Sequence, residues 1–209
     1  MSYLFINPNS TQSMTSAMLA CARAAVPGVS FEAVTSHFGP PAIEGPEDGA
    51  LAVAPLLALI RETEADGIAI GCFDDTGLLD AAGMFDGPVI GIGQAAFHTA
   101  ALRNWRFSVV TTLPVSVGVI EDNIAAYGLS FALGRVRASG VPVLALETDA
   151  EAASRRIVDE ASLALHEDGV DCIVLGCAGM ATLTSALRHE LSIPVVDPVE
   201  AAAKLLPAI

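Results

Sequence analysis

The chain has 209 residues, with 24 acidic side chains against 10 basic ones, a formal charge of −14, 53% hydrophobic residues and 5% aromatic residues. That much negative charge repels phosphate backbones and anionic head groups, which sets aside nucleic-acid and peripheral membrane roles, and the apolar fraction sets aside a disordered chain. No apolar run approaches the ~20 residues that span a bilayer, and the first residues lack the basic head and long apolar stretch of a signal peptide.

The expected location is therefore the cytosol, where Cys21, Cys72, Cys172 and Cys177 stay reduced. None of the four forms a C-x-x-C pair, and the apolar spacing of Cys172 and Cys177 is not that of a zinc site. No metal or cofactor is expected.

Short runs rich in Val and Ile alternate with longer Ala-rich stretches, the pattern of β-α units on a parallel sheet. A strand at 3–7 leads to a helix at 10–25, with Ser10 to Ser13 supplying capping side chains and Pro27-Gly28 ending it. A strand at 29–35 is followed by a loop at 36–48, which holds Pro40, Pro41 and Pro46 and is long enough to serve as a lid. Next come a helix at 49–64, a strand at 67–72, a helix at 76–84, a strand at 88–92 and a helix at 94–103. The second half predicts strands at 106–112, 132–138, 171–176 and 193–197, with helices at 115–127, 150–167, 180–190 and 199–206.

The halves echo each other. Asp66-Gly67-Ile68-Ala69-Ile70-Gly71-Cys72 is matched 105 positions later by Asp171-Cys172-Ile173-Val174-Leu175-Gly176-Cys177. Pro88-Val89-Ile90-Gly91 is likewise matched by Pro194-Val195-Val196-Asp197, and Gln94-Ala95-Ala96 by Glu200-Ala201-Ala202. The predicted architecture is α/β, with two pseudo-symmetric lobes. Each lobe is a four-stranded, mainly parallel sheet flanked by helices, with the site between them. The lobes are placed at 1–104 and 105–209, and the last helix is free to pack back on the first lobe.

Each repeated Cys stands just past a buried strand and directly after a Gly, where open parallel sheets bind ligands. Turn-like residues follow, so the thiolate can be favoured by backbone N–H groups. Cys21, inside an Ala-rich helix, and Cys172, inside a strand, serve as contrasts and read as packing residues. Two thiols facing each other across a pseudo-twofold axis suit one reaction without a cofactor. One removes a proton from carbon next to a carbonyl while the other delivers a proton to the opposite face, and N–H donors hold the enolate oxygen.

Ile6-Asn7-Pro8-Asn9-Ser10-Thr11, Gly71-Cys72-Phe73-Asp74-Asp75-Thr76-Gly77-Leu78 and Leu175-Gly176-Cys177-Ala178-Gly179-Met180 resemble motifs of the Asp/Glu/hydantoin racemase superfamily, and within it the hydantoin and allantoin racemase branch. The likeness spans nearly the whole chain. It implies a cofactor-independent racemase with Cys72 and Cys177 as the catalytic pair and Asn9 contacting the substrate. It also implies that Phe73 and Asp74, Thr111 and Thr112, and Gly176, Ala178 and Gly179 surround the substrate carbonyls. The chain departs from the family pattern at Asp74-Asp75-Thr76-Gly77, where Gly-Asp-Pro-Gly is common, and at Gln94 and Pro198. A carboxylate at position 74 would disfavour the Cys72 thiolate unless it points to solvent.

The expected substrate is a 5-substituted hydantoin or an allantoin-like ureide, because the basic residues fall mostly on predicted helix faces and leave little to grip a free carboxylate. The alternatives are a maleate isomerase, an arylmalonate decarboxylase-like enzyme, an Asp/Glu racemase, or a two-lobed small-molecule binding protein. Phe38 is a further candidate wall of the pocket and His37 a candidate contact from the loop. The apolar composition favours a homo-oligomer.

Overall fold

The computed structural model describes residues 1–209. The first half runs β1 (Ser2–Asn7), α1 (Gln12–Ala25), β2 (Ser30–Thr35), α2 (Pro46–Arg61), β3 (Gly67–Ile70), α3 (Leu78–Ala82), β4 (Val89–Gly91) and α4 (Ile92–Leu102). The second half runs β5 (Phe107–Thr111), α5 (Val117–Ala126), β6 (Leu133–Ala138), α6 (Ala145–Thr148), α7 (Ala150–Glu167), β7 (Cys172–Gly176), α8 (Thr184–Glu190), β8 (Val195–Val196) and α9 (Pro198–Leu205). The strand orders are β2-β1-β3-β4 and β6-β5-β7-β8, and every pairing is parallel. The two sheets thus repeat one topology, as the echo predicts.

Side-chain alternation along the strands builds three cores. Phe5 and Ala69 of the first sheet, and Phe107, Val109 and Val174 of the second, point into one continuous central core. Between the sheets lie α1, α4, α5 and α9, with Met18, Phe97, Ile120 and Val199 fully buried. The opposite strand faces point outward. Ile6, Ile68 and Ile70 pack under α2 and α3, whereas Val110, Ile173 and Leu175 pack under α6, α7 and α8. Ala95, Ala96 and Ala100 on α4 and Ala201 to Ala203 on α9 let these two helices approach closely. Helix α9 also packs on α1, which ties the chain's end to its beginning.

Several boundaries shift for local reasons. Helix α2 starts at Pro46, a ring already set for a first helical turn, so the preceding loop ends at Gly45. The predicted helix at 180–190 opens as a 3₁₀ segment over Ala178–Leu183. At α1, Thr11 is the N-cap but makes no side-chain cap; its hydroxyl donates instead to the Pro41 carbonyl at 2.7 Å. The expected capping by Ser10 to Ser13 is therefore replaced by a tie to the 36–45 loop. No helix is long and apolar enough to cross a membrane.

Candidate active site

A doubly wound sheet leaves a crevice at the C-terminal ends of its strands, where the connections diverge to opposite faces. Here two such crevices face each other, beyond β1 and β3 in one half and β5 and β7 in the other. They close around one small cavity of about 30 Å³. The first half lines it with Asn7, Asn9 and the segment Gly71 to Asp74, the second with Thr111, Thr112 and the segment Gly176 to Gly179. Cys72, Cys177 and every residue that the resemblance implies for the substrate site line this one space. Two larger clefts lie against α8, β8 and α9, but neither takes acid–base groups from both strand-end crevices.

Cys72 and Cys177 are both unbridged and partly open toward the cavity. They are near enough for each other's charge to matter, since a negative Cys177 pushes the Cys72 thiol further up. Burial is the largest influence on each and raises both, Cys177 to about 12. Backbone N–H groups of Gly179 and Met180, in the 3₁₀ turn after β7, favour the Cys177 thiolate. The Asp74 N–H and the Thr76 hydroxyl, which donates to Cys72 Sγ at 3.4 Å, do the same for Cys72.

The glycines before the thiols serve packing. A Cβ on Gly176 would lie 2.7 Å from Thr111 Cα on the neighbouring strand, and one on Gly71 would lie 2.6 Å from Met18 Sδ. A side chain at Gly176 would wedge β7 from β5 just before the cysteine, whereas one at Gly71 would first displace the Met18 thioether of α1.

The other contacts fix donors. Asn9 Oδ1 is taken by the Thr11 N–H and by Asn7 Nδ2, both at 2.9 Å, which leaves Asn9 Nδ2 only the Met14 thioether at 3.5 Å. Thr111 Oγ1 donates to the Gly176 carbonyl at 3.0 Å and so locks the two strand ends of the second half together. Phe73 packs edge-on against Phe97 and forms part of the wall.

Asp74 does not point to solvent. It lines the cavity, and burial raises it to about 6 while the neighbouring Ser116 hydroxyl holds it back; its charge raises both thiols. Asp75, one residue on, turns away. Its carboxylate accepts from the Gly93 and Gln94 N–H groups at 2.9 and 2.7 Å and from the Tyr127 hydroxyl at 2.8 Å.

The 36–45 loop reaches across the mouth. Ile43 lines the cavity, and Glu44 Oε1 accepts from the Val143 N–H of the other half at 2.6 Å. Two expectations for this loop are corrected. Phe38 is 92% exposed and forms no wall, and His37 is exposed away from the cavity, because Gly39 and Pro40 turn this corner outward past Pro8 and Ser10. Cys21 is also only half buried. Its sulfur lies 3.8 Å from Asp197 Oδ1 in an open cleft, whereas Cys172 is fully buried.

Sequence reasoning missed Tyr127, Asn123 and Ser116, which reach the first-half thiol loop from the α5 segment. It also missed Arg137, a buried residue of β6 that pairs with the buried side chain of Asp168, with Glu160 and with the exposed Glu167. No group of three or more His, Cys, Asp or Glu side chains is placed to hold a metal ion.

The Asp/Glu/Hydantoin racemase family matches residues 4–206. This chain belongs to that family. It is 45% identical to a hydantoin racemase of Rhizobium meliloti over 98% of its own length and 86% of the relative's. Among solved structures, an allantoin racemase from Klebsiella pneumoniae superposes with a TM-score of 0.94 at 41% identity, covering 100% of this chain and 86% of that one. The allantoin racemase of Pseudomonas fluorescens gives 0.95 at 36% identity, over 100% and 90% of the two chains.

Proposed function

We propose that this racemase-family protein interconverts the enantiomers of small cyclic ureides of the hydantoin and allantoin class, with Cys72 and Cys177 alternating as base and acid. The observation that carries the reading is two unbridged thiols, delivered by matching strand ends of the two halves into one cavity. A thiolate held above its ordinary range is a stronger base, suited to a weak carbon acid. As one sulfur takes the proton from the carbon beside a carbonyl, the electron pair moves onto the carbonyl oxygen. The opposite thiol then gives its proton to the other face. The two sulfurs have exchanged protonation states, and the enantiomer is formed.

Asn9 Nδ2, Thr112 and the backbone from Gly176 to Gly179 supply donors around the carbonyls, while Thr111, its hydroxyl committed to the Gly176 carbonyl, and Phe73 supply wall. The lining holds no Lys, Arg or His, which favours a neutral ring over a free amino acid, maleate or a malonate. Four unpaired cysteines suit a reducing compartment, and exposed Phe38 and Phe131 give apolar surface for association of copies, which sedimentation would detect.

Proton NMR in deuterated water tests the reading on both enantiomers of several 5-substituted hydantoins, on allantoin, on aspartate and glutamate, and on maleate and an arylmalonate. The expected result is loss of the ring-carbon proton together with loss of optical rotation for the ureides. Exchange confined to the amino acids, or turnover of the diacids alone, contradicts it.

A further inference from the structure

We propose that the Asp74 side chain discriminates substrates in this site by accepting a hydrogen bond from an N–H of a neutral ureide or imide and by repelling ligands that carry a carboxylate. The inference rests on the racemase reading above and adds the polarity of the ligand.

A cyclic ureide alternates carbonyls with N–H groups, so a site that holds one needs acceptors as well as donors. The donors come from Asn9 and Thr112, but Asp74 is the one carboxylate facing the space shared by both thiols. It forms no ion pair, and its protein neighbour is the Ser116 hydroxyl, which leaves most of its acceptor positions open. Glu44, the other nearby carboxylate, is already committed to the Val143 N–H.

Nor can the loop carry Asp74 away. Asn123 Nδ2 donates to the Asp74 carbonyl at 2.8 Å, and the next residue is tied to the N-terminus of α4. A carboxylate ligand entering this cavity would meet fixed like charge with no cation to offset it, whereas an N–H would meet an ionised acceptor, the stronger kind of hydrogen bond. Binding such a donor also offsets the charge that opposes thiolate formation on Cys72 and Cys177.

A matched pair of substrates tests this. 5-(Carbamoylmethyl)hydantoin and 5-(carboxymethyl)hydantoin have nearly the same shape and differ in charge. Racemisation of each by the wild type, Asp74→Asn and Asp74→Ser is followed by circular dichroism, and thermal melting of every variant reports folding. The wild type is expected to favour the neutral compound in kcat/KM by about 10- to 100-fold, the range of a hydrogen bond to a charged group. Both variants should lose most of that preference. Iodoacetamide should also alkylate Cys72 and Cys177 faster in Asp74→Asn, a readout independent of turnover. If the wild type racemises both compounds equally, or folded variants keep the full preference, the role of Asp74 is wrong and the racemase reading stands. If the wild type acts on neither compound nor on any other ureide, the racemase reading itself fails.

Discussion

The Tyr127 hydroxyl, at the C-terminal end of α5, donates at 2.8 Å to Asp75 Oδ2, three residues past Cys72 in the other half of the chain. Asp75 in turn caps the first turn of α4 through the Gly93 and Gln94 N–H groups. Its backbone sits at φ +49°, a left-handed conformation that costs free energy unless its surroundings hold it. One carboxylate therefore fixes the loop after Cys72 to a helix of its own half and to a helix of the other. The second half solves the same problem differently, since Asp197 caps α9 from its own N-cap position through the Val199 and Glu200 N–H groups.

Tyr127→Phe removes one donor and leaves the shape intact. Its expected cost is about 1–3 kcal/mol of stability, the range for leaving a buried polar partner unsatisfied. Because the loop carries Cys72, kcat should fall more than KM rises. Urea melts with parallel kinetics check both, and unchanged kcat in the variant would show that the clamp serves folding alone.

The echo between the halves made much of this legible. Two Gly-Cys strand ends 105 positions apart located the sheets and the cavity, because a duplicated chain places equivalent residues about one axis. The α5 contacts were not legible, since no local pattern marks a hydrogen bond between residues 52 positions apart. One clue did exist. Where the second half carries the cap Asp197, the first carries Gly91, and a Cβ there would lie 1.9 Å from Asp75 Oδ1. The missing cap at Gly91 implies a carboxylate from elsewhere. Arg137 was hidden for a related reason: nothing in Arg135-Val136-Arg137 tells which arginine is buried, and only the fold brings Asp168 and Glu160 to it.

Serine in place of either cysteine should reduce racemisation in both directions by at least about 10²-fold, the lower end of what a positioned acid or base contributes. Each single variant keeps one sulfur, so deuterium should still enter the ring carbon of one enantiomer without inversion, and the favoured enantiomer should switch between the two variants. Equal exchange from both enantiomers in either variant would contradict the opposed-face assignment.

Glu44→Ala removes the loop's bond to the Val143 N–H and a negative charge that raises Cys177. The 36–45 loop should then open more often, so KM should rise by roughly threefold to tenfold, the value of a single hydrogen bond. Alkylation of Cys177 should accelerate more than that of Cys72, which peptide mapping after brief iodoacetamide treatment would show. Equal acceleration at both sulfurs would mean that the loop does not guard the second-half side.

Arg137 makes one contribution to stability depend on pH through its partner Asp168. Its guanidinium meets Asp168 through Nε to Oδ2 at 2.7 Å and Nη2 to Oδ1 at 2.6 Å, with both side chains nearly closed to solvent. The pairing holds the Asp168 carboxyl below the usual carboxylate range. A carboxyl lowered in the folded state binds its proton less readily there than in the unfolded chain, so its stabilisation is present above the ordinary value near 4 and is lost as pH falls below it. Arg137→Met leaves Asp168 buried without its partner, which typically costs about 3–5 kcal/mol. The stability gap between wild type and variant should be widest from pH 6 to 8 and should narrow as pH falls through the ordinary carboxylate range, where the variant's unpaired Asp168 takes up a proton and no longer buries a charge. Chemical denaturation across that range measures the gap. A constant difference would mean that Arg137 acts through packing alone rather than through the charge of Asp168.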